Sequence, residues 1–213
     1  MNKLILAIVV VFWIALPISH QIQSKIRGDL LLRIVRTTSI NIPYLAVFLV
    51  VPFPLYNFKF TIMIFLPIFF GLLYTLVDLK NILYSNNSAI FQYMGEVRKE
   101  QLLSRFSEVT VIPCIEELFF RGTIPITAPI NEVLLIFLLT SILFNLAHYI
   151  GQSSDFLFHL KMFFLSILAF LVYYFSQIII YSVIFHIICN IPWFITNYRM
   201  YIFTKKQKNK VLL

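Results

Sequence analysis

The chain has 213 residues, of which only 12% are charged and 60% are hydrophobic. With a mean hydropathy of +0.89, it is not an ordinary soluble domain, where about a quarter of residues are charged. The net charge of +8 is no nucleic-acid signature either, because the basic residues sit in short polar gaps where membrane orientation is set and anionic lipid is met.

These features describe an all-α, polytopic membrane protein of one structural domain. Cys114 and Cys189 lie in apolar runs, as small core residues do, and imply no disulfide framework. The richness in Ile, Phe, Asn and Lys points to a bacterium with an AT-rich genome, and so to a multi-pass protein of its plasma membrane.

The amino-terminal stretch MNKLILAIVVVFWIALPIS resembles a signal peptide, but no small-x-small cleavage site follows it. It is therefore expected to be a retained first span. Further apolar segments run Ile40–Tyr56, Phe60–Val77, Val109–Thr127, Val133–Ile150 and Lys161–Thr196. The last, as one helix, would extend about 50 Å against a core of about 30 Å, so it must turn, and YFSQI at 174–178 is the expected place.

That predicts about seven spans. The basic segments 20–39 and 78–108 and the tail with KKQKNK then fall on one side. By the positive-inside rule that side is cytoplasmic, which places the amino terminus outside and the carboxy terminus inside.

Segment 78–108 is the one long polar stretch, and EVRKEQLLSRFSEV has an amphipathic pattern. It reads as a cytoplasmic interfacial helix or, equally, as a solvated connector. The predicted organisation is spans and interfacial helix over 1–104, a core over 105–197 and a basic tail over 198–213.

Ionisable groups inside a span are expensive and mark function. CIEELFFRG at 114–122 sets Glu117 and Arg121 four apart, on one helical face where they can pair. Glu116 is turned about 100° away and is left to face something else. FNLAHY puts Phe144 four residues before His148, and HIICN puts His186 four before Asn190, with Asn145 nearby. Counting about 1.5 Å per residue from the expected span ends, Glu116, His148, His186 and Asn190 lie at similar depth. They are expected to converge on a cavity open to the cytoplasm.

No serine stands beside a base as a nucleophile. Glu116 with His148 can hold and deprotonate a water, while His186 and Asn190 can stabilise an oxyanion. The rival is zinc-assisted hydrolysis through Glu116, His148 and His186, although no HExxH pattern is present.

The ordered set EExxxR, FxxxH and HxxxN resembles the CAAX protease and bacteriocin-processing family, also called Abi, which is similar to the type II CAAX prenyl protease. The likeness covers about 105–197, and the first 100 residues carry no motif of their own. It implies an intramembrane endopeptidase cutting near the cytoplasmic face, with Glu116 activating water beside His148. It also implies an oxyanion hole of His186 and Asn190, with Glu117, Arg121 and Phe144 in support.

A metal-free mechanism is expected over zinc, because Asn is a poor zinc ligand and a good oxyanion donor. The expected partners are membrane lipid and a peptide or protein substrate: a lipidated CAAX-like protein, a bacteriocin leader or a pheromone precursor. The alternative is a non-catalytic bacteriocin-immunity or peptide-binding protein of the same fold; a transporter fits least.

Overall fold

The computed structural model describes residues 1–25, 35, 39, 41–52, 62–93, 95–149 and 155–211. Among them the chain is all helical. The α-helices are α1 Asn2–Lys25, α2 Phe65–Val77, α3 Leu79–Ser85, α4 Ser88–Phe91, α5 Lys99–Phe120, α6 Ile130–Tyr149, α7 Phe156–Ser176 and α8 Ile179–Val211. A 3-10 helix, Ile42–Leu49, lies between α1 and α2.

The chain is a multi-pass integral membrane protein, but its described residues form four or five candidate spans rather than the expected seven. Among the described residues four helical stretches are long and apolar enough to cross: Asn2–Ile22, Ile130–His148, Phe156–Ser176 and Ile179–Gln207. A fifth exists if Ile62–Val77 and Leu79–Ser85, bent by 70°, form one broken span.

The overcount has physical causes. The described part of the expected span Ile40–Tyr56 is an eight-residue 3-10 helix. At about 2 Å per residue it covers roughly half the hydrocarbon thickness. The expected span Val109–Thr127 is the second half of α5, which starts at Lys99 and ends at Phe120. That helix carries Arg105, Glu108, Glu116 and Glu117, too many charges for an apolar span. The orientation with the amino terminus outside rested on an odd number of crossings, which five spans keep and four do not. Segments 26–34 and 53–61, which hold part of the basic loop and of two expected spans, lie outside the described residues.

The candidate spans are largely apolar, yet part of each surface stays unpacked. On α1 the buried positions are Ile8, Phe12, Ala15 and Ser19, a stripe at helical spacing. Leu6, Val10, Trp13, Ile14 and Ile18 point outward, as on a lipid-facing surface. Helices α6 and α7 meet through the stacked rings of Phe137 and Phe170, 4.2 Å apart, and through a buried bond of 2.8 Å from Ser166 Oγ to Ser141 Oγ.

The chain turns between α7 and α8 at Gln177, within the stretch 174–178. Gln177 adopts a left-handed φ of 55° and closes α7 with its N–H on the Tyr173 carbonyl at 2.7 Å. The Ser176 hydroxyl accepts from the Ile178 N–H at 3.2 Å and completes the corner.

Helix α2 packs on α8 where Gly71 meets Ile188. A Cβ on Gly71 would lie 2.6 Å from Ile188 Cγ2, so only glycine permits this approach. Gly71→Ala should lower the thermal midpoint in detergent by overpacking, at about 1–3 kcal/mol. Adding Ile188→Ala should return part of the loss, measurable as a double-mutant cycle of thermal shifts.

Candidate active site

Helix α5 ends at Phe120 because the turn that follows carries Gly122 and Pro125. Glu117 sits in its last turn and is fully buried. Its Oε1 accepts from His186 Nδ1 at 2.8 Å, and its Oε2 accepts from the Ser182 hydroxyl at 2.5 Å. Arg121 Nη1 lies 3.3 Å from Oε1. Neither Nη1 nor Nη2 has a hydrogen-bond partner among the described residues, so this attraction is Coulombic rather than directional. The guanidinium also lies over the Phe144 ring, 4.6 Å from its centroid, a cation–π contact out of water.

Phe144 is fully buried and serves as the hub of this layer. Its ring is 4.5 Å from that of His148 on the same helix, 6.1 Å from His186 on α8 and 5.2 Å from Phe120 on α5.

Glu116 points elsewhere. With Asn41, His148, His186 and Asn190 it lines a cavity of about 1160 Å³. Glu117, Arg121 and Phe144 stand behind that wall. The side chain of Glu116 is 12% exposed, against 0% for Glu117. Its Oε1 accepts from Asn41 Nδ2 at 3.1 Å, and its Oε2 is 3.9 Å from His186 Nε2. That gap is too long for a direct hydrogen bond and is the kind a shared water spans.

The two histidines are oriented by their other ring nitrogens. His148 Nδ1 is 2.8 Å from the Phe144 carbonyl, an acceptor only, so Nδ1 carries a proton and, in the neutral ring, Nε2 has the lone pair. His186 Nδ1 donates to Glu117. For His186 to donate from Nε2 as well, it must be protonated on both nitrogens, with the Glu117 carboxylate as counter-charge. Spacing alone had treated His186 and Asn190 as equivalent donors.

Asn145 is not part of the cavity lining. Its amide donates to the His159 carbonyl at 3.0 Å and its carbonyl accepts from His159 Nδ1 at 2.6 Å, strapping α6 to the start of α7. Among the described residues no three His, Cys, Asp or Glu side chains are grouped to hold a metal ion, and Glu116, His148 and His186 do not form such a group.

Three contributors escaped the sequence reading. Ser182 stands four residues before His186, so the i, i+4, i+8 series Ser182, His186, Asn190 carried the signal. Asn41 and the cavity-lining ion pair of Asp78 with Lys161 join residues far apart in the chain, and no local pattern announces them.

Residues 99–192 match the family model of Rce1-like type II CAAX prenyl endopeptidases. No curated protein and no solved structure matches the chain.

The two glutamates should separate on stability. Glu117→Gln leaves Arg121 buried without a counter-charge and should destabilise by about 3–5 kcal/mol. Ser182→Ala removes one buried hydrogen bond and should cost about 1–2 kcal/mol. Glu116→Gln keeps side-chain volume at the cavity wall and should leave the thermal midpoint near that of the wild type. Thermal unfolding in detergent compares all three.

Proposed function

We propose that the chain, whose residues 99–192 match the family model of Rce1-like type II CAAX prenyl endopeptidases, is a member of that family and cuts a peptide bond within the membrane by means of a water activated by Glu116. The observation that carries this reading is the division between neighbours. Glu117 is consumed by Arg121, His186 and Ser182, whereas Glu116 faces the cavity beside His186.

In the first step a water between Glu116 and the His148 Nε2 lone pair adds through its oxygen to the peptide carbonyl carbon. Its proton passes to Glu116. The carbonyl oxygen becomes an oxyanion, met by the Asn190 amide N–H and by Nε2–H of protonated His186, whose Nδ1–H stays on Glu117. Collapse of the tetrahedral intermediate breaks the C–N bond, and Glu116 returns the proton to the leaving amine. The low-dielectric surroundings strengthen each of these interactions.

The proposed steps need no metal, because Asn190 suits an oxyanion far better than zinc. The substrate class we propose is a membrane-held peptide, either a CAAX-like carboxy terminus or the leader of a secreted bacterial peptide.

Glu116→Gln should abolish turnover of an internally quenched peptide carrying an S-farnesyl cysteine and three further residues, with the fold intact. Retained turnover would sink the mechanism. A cellular phenotype that survived the substitution would favour peptide binding without cleavage.

Asn190→Ala should lower kcat by about 10²–10³-fold with little change in KM, the usual loss of one oxyanion donor. Turnover should survive strong chelators. One zinc per chain by elemental analysis, lost in His186→Ala, would replace the glutamate mechanism by a metal one.

A further inference from the structure

A general base works only if its carboxylate is held with one oxygen on the water, and misplacement by about 1 Å can cost 10²-fold. Helix α5 offers Glu116 no such support. Arg121 is engaged by Glu117, and a one-residue offset turns Glu116 about 100° from that pair.

We propose that Asn41, outside the matched segment 99–192, is the positioning residue for Glu116. This inference rests on the reading of Glu116 as the base. Asn41 Nδ2 donates to Oε1 at 3.1 Å, while Oε2 faces His186 Nε2 across 3.9 Å. The two carboxylate oxygens thus have different surroundings, one tied to the Asn41 amide and the other turned toward His186 on the cavity side. An amide orients a carboxylate without bringing a full charge beside it.

The way Asn41 is placed supports the same role. A 3-10 helix has three residues per turn, so positions 41, 44 and 47 share a face. Tyr44 and Val47 on that face are buried. On α5, Phe119 and Phe120 lie three and four residues after Glu116, on the face that Glu116 begins. Tyr44 packs its ring 5.0 Å from Phe119 and 6.1 Å from Phe120, and 6.0 Å from Phe12 of α1.

The two faces therefore dock in register, ring against rings and amide against carboxylate. The Tyr44 N–H donates to the Asn41 carbonyl at 3.1 Å, which ties the amide to the anchored ring. The amino-terminal part of the chain, which has no motif, completes the catalytic group of the matched core.

The test uses the full chain in detergent, with the S-farnesyl peptide as probe. Asn41→Ala should lower kcat by about 10- to 100-fold, with KM and the thermal midpoint near wild type. Asn41→Gln, which keeps the amide donor, should restore part of the loss.

In parallel, the infrared carboxylate band that disappears in Glu116→Gln should shift in Asn41→Ala, a readout that needs no turnover. If Glu116→Gln keeps activity, the reading of Glu116 as base is overturned. If Glu116→Gln is dead while Asn41→Ala turns over like wild type, the positioning role alone is overturned. An unshifted Glu116 band in Asn41→Ala overturns it as well.

Discussion

One buried carboxylate sets the terms for this structure. Glu117 lies out of water within an apolar bundle, where an unpaired charge would be worth several kcal/mol of destabilisation. Its compensation comes from two helices: Arg121 from its own turn, Ser182 and His186 from α8. Because hydrogen bonds are directional, this fixes how α5 and α8 face one another, and it fixes the His186 ring. The other nitrogen of that ring then points toward Glu116. A buried support interaction thereby aims the His186 ring at the cavity-lining carboxylate.

Arg121 extends the constraint to a third helix. Its guanidinium lies on the Phe144 ring of α6, and Phe144 in turn stands beside His148 and His186. A planar ring suits this place. It accepts the cation on its face, fills volume against Phe120 and adds no polar group needing a partner. The polar groups are thus divided by a wall, with the neutralised pair behind it and Glu116, His148, His186 and Asn190 on the cavity side.

The remaining helices make such a wall affordable in a membrane. Their outward faces are apolar, with Trp13, Leu72, Leu138 and Ile195 exposed as for contact with lipid. Close approaches such as Gly71 on Ile188 and the bond of Ser166 to Ser141 bring helices together where lipid and side chain are equally apolar. The 3-10 helix Ile42–Leu49, too short to cross, rests its buried Tyr44 on α1 and α5.

Composition alone determined that this is an all-helical membrane protein, and four-residue spacing determined which polar residues share a helical face. Pairing of Glu117 with Arg121 was legible because both sit on one helix, where 3.6 residues per turn dictates who meets whom. The turn near Gln177 was legible because a continuous helix would overrun the bilayer. The span count was not, since hydropathy cannot tell a crossing helix from an apolar segment such as 42–49 or from a charged helix such as α5, which contact with other helices shelters. Nor could the sequence show that His186 spends one nitrogen on Glu117, or that Asn41 reaches Glu116 across 75 positions. Contacts between helices depend on rotation and depth within the bundle, and those are decided only when all the helices pack at once.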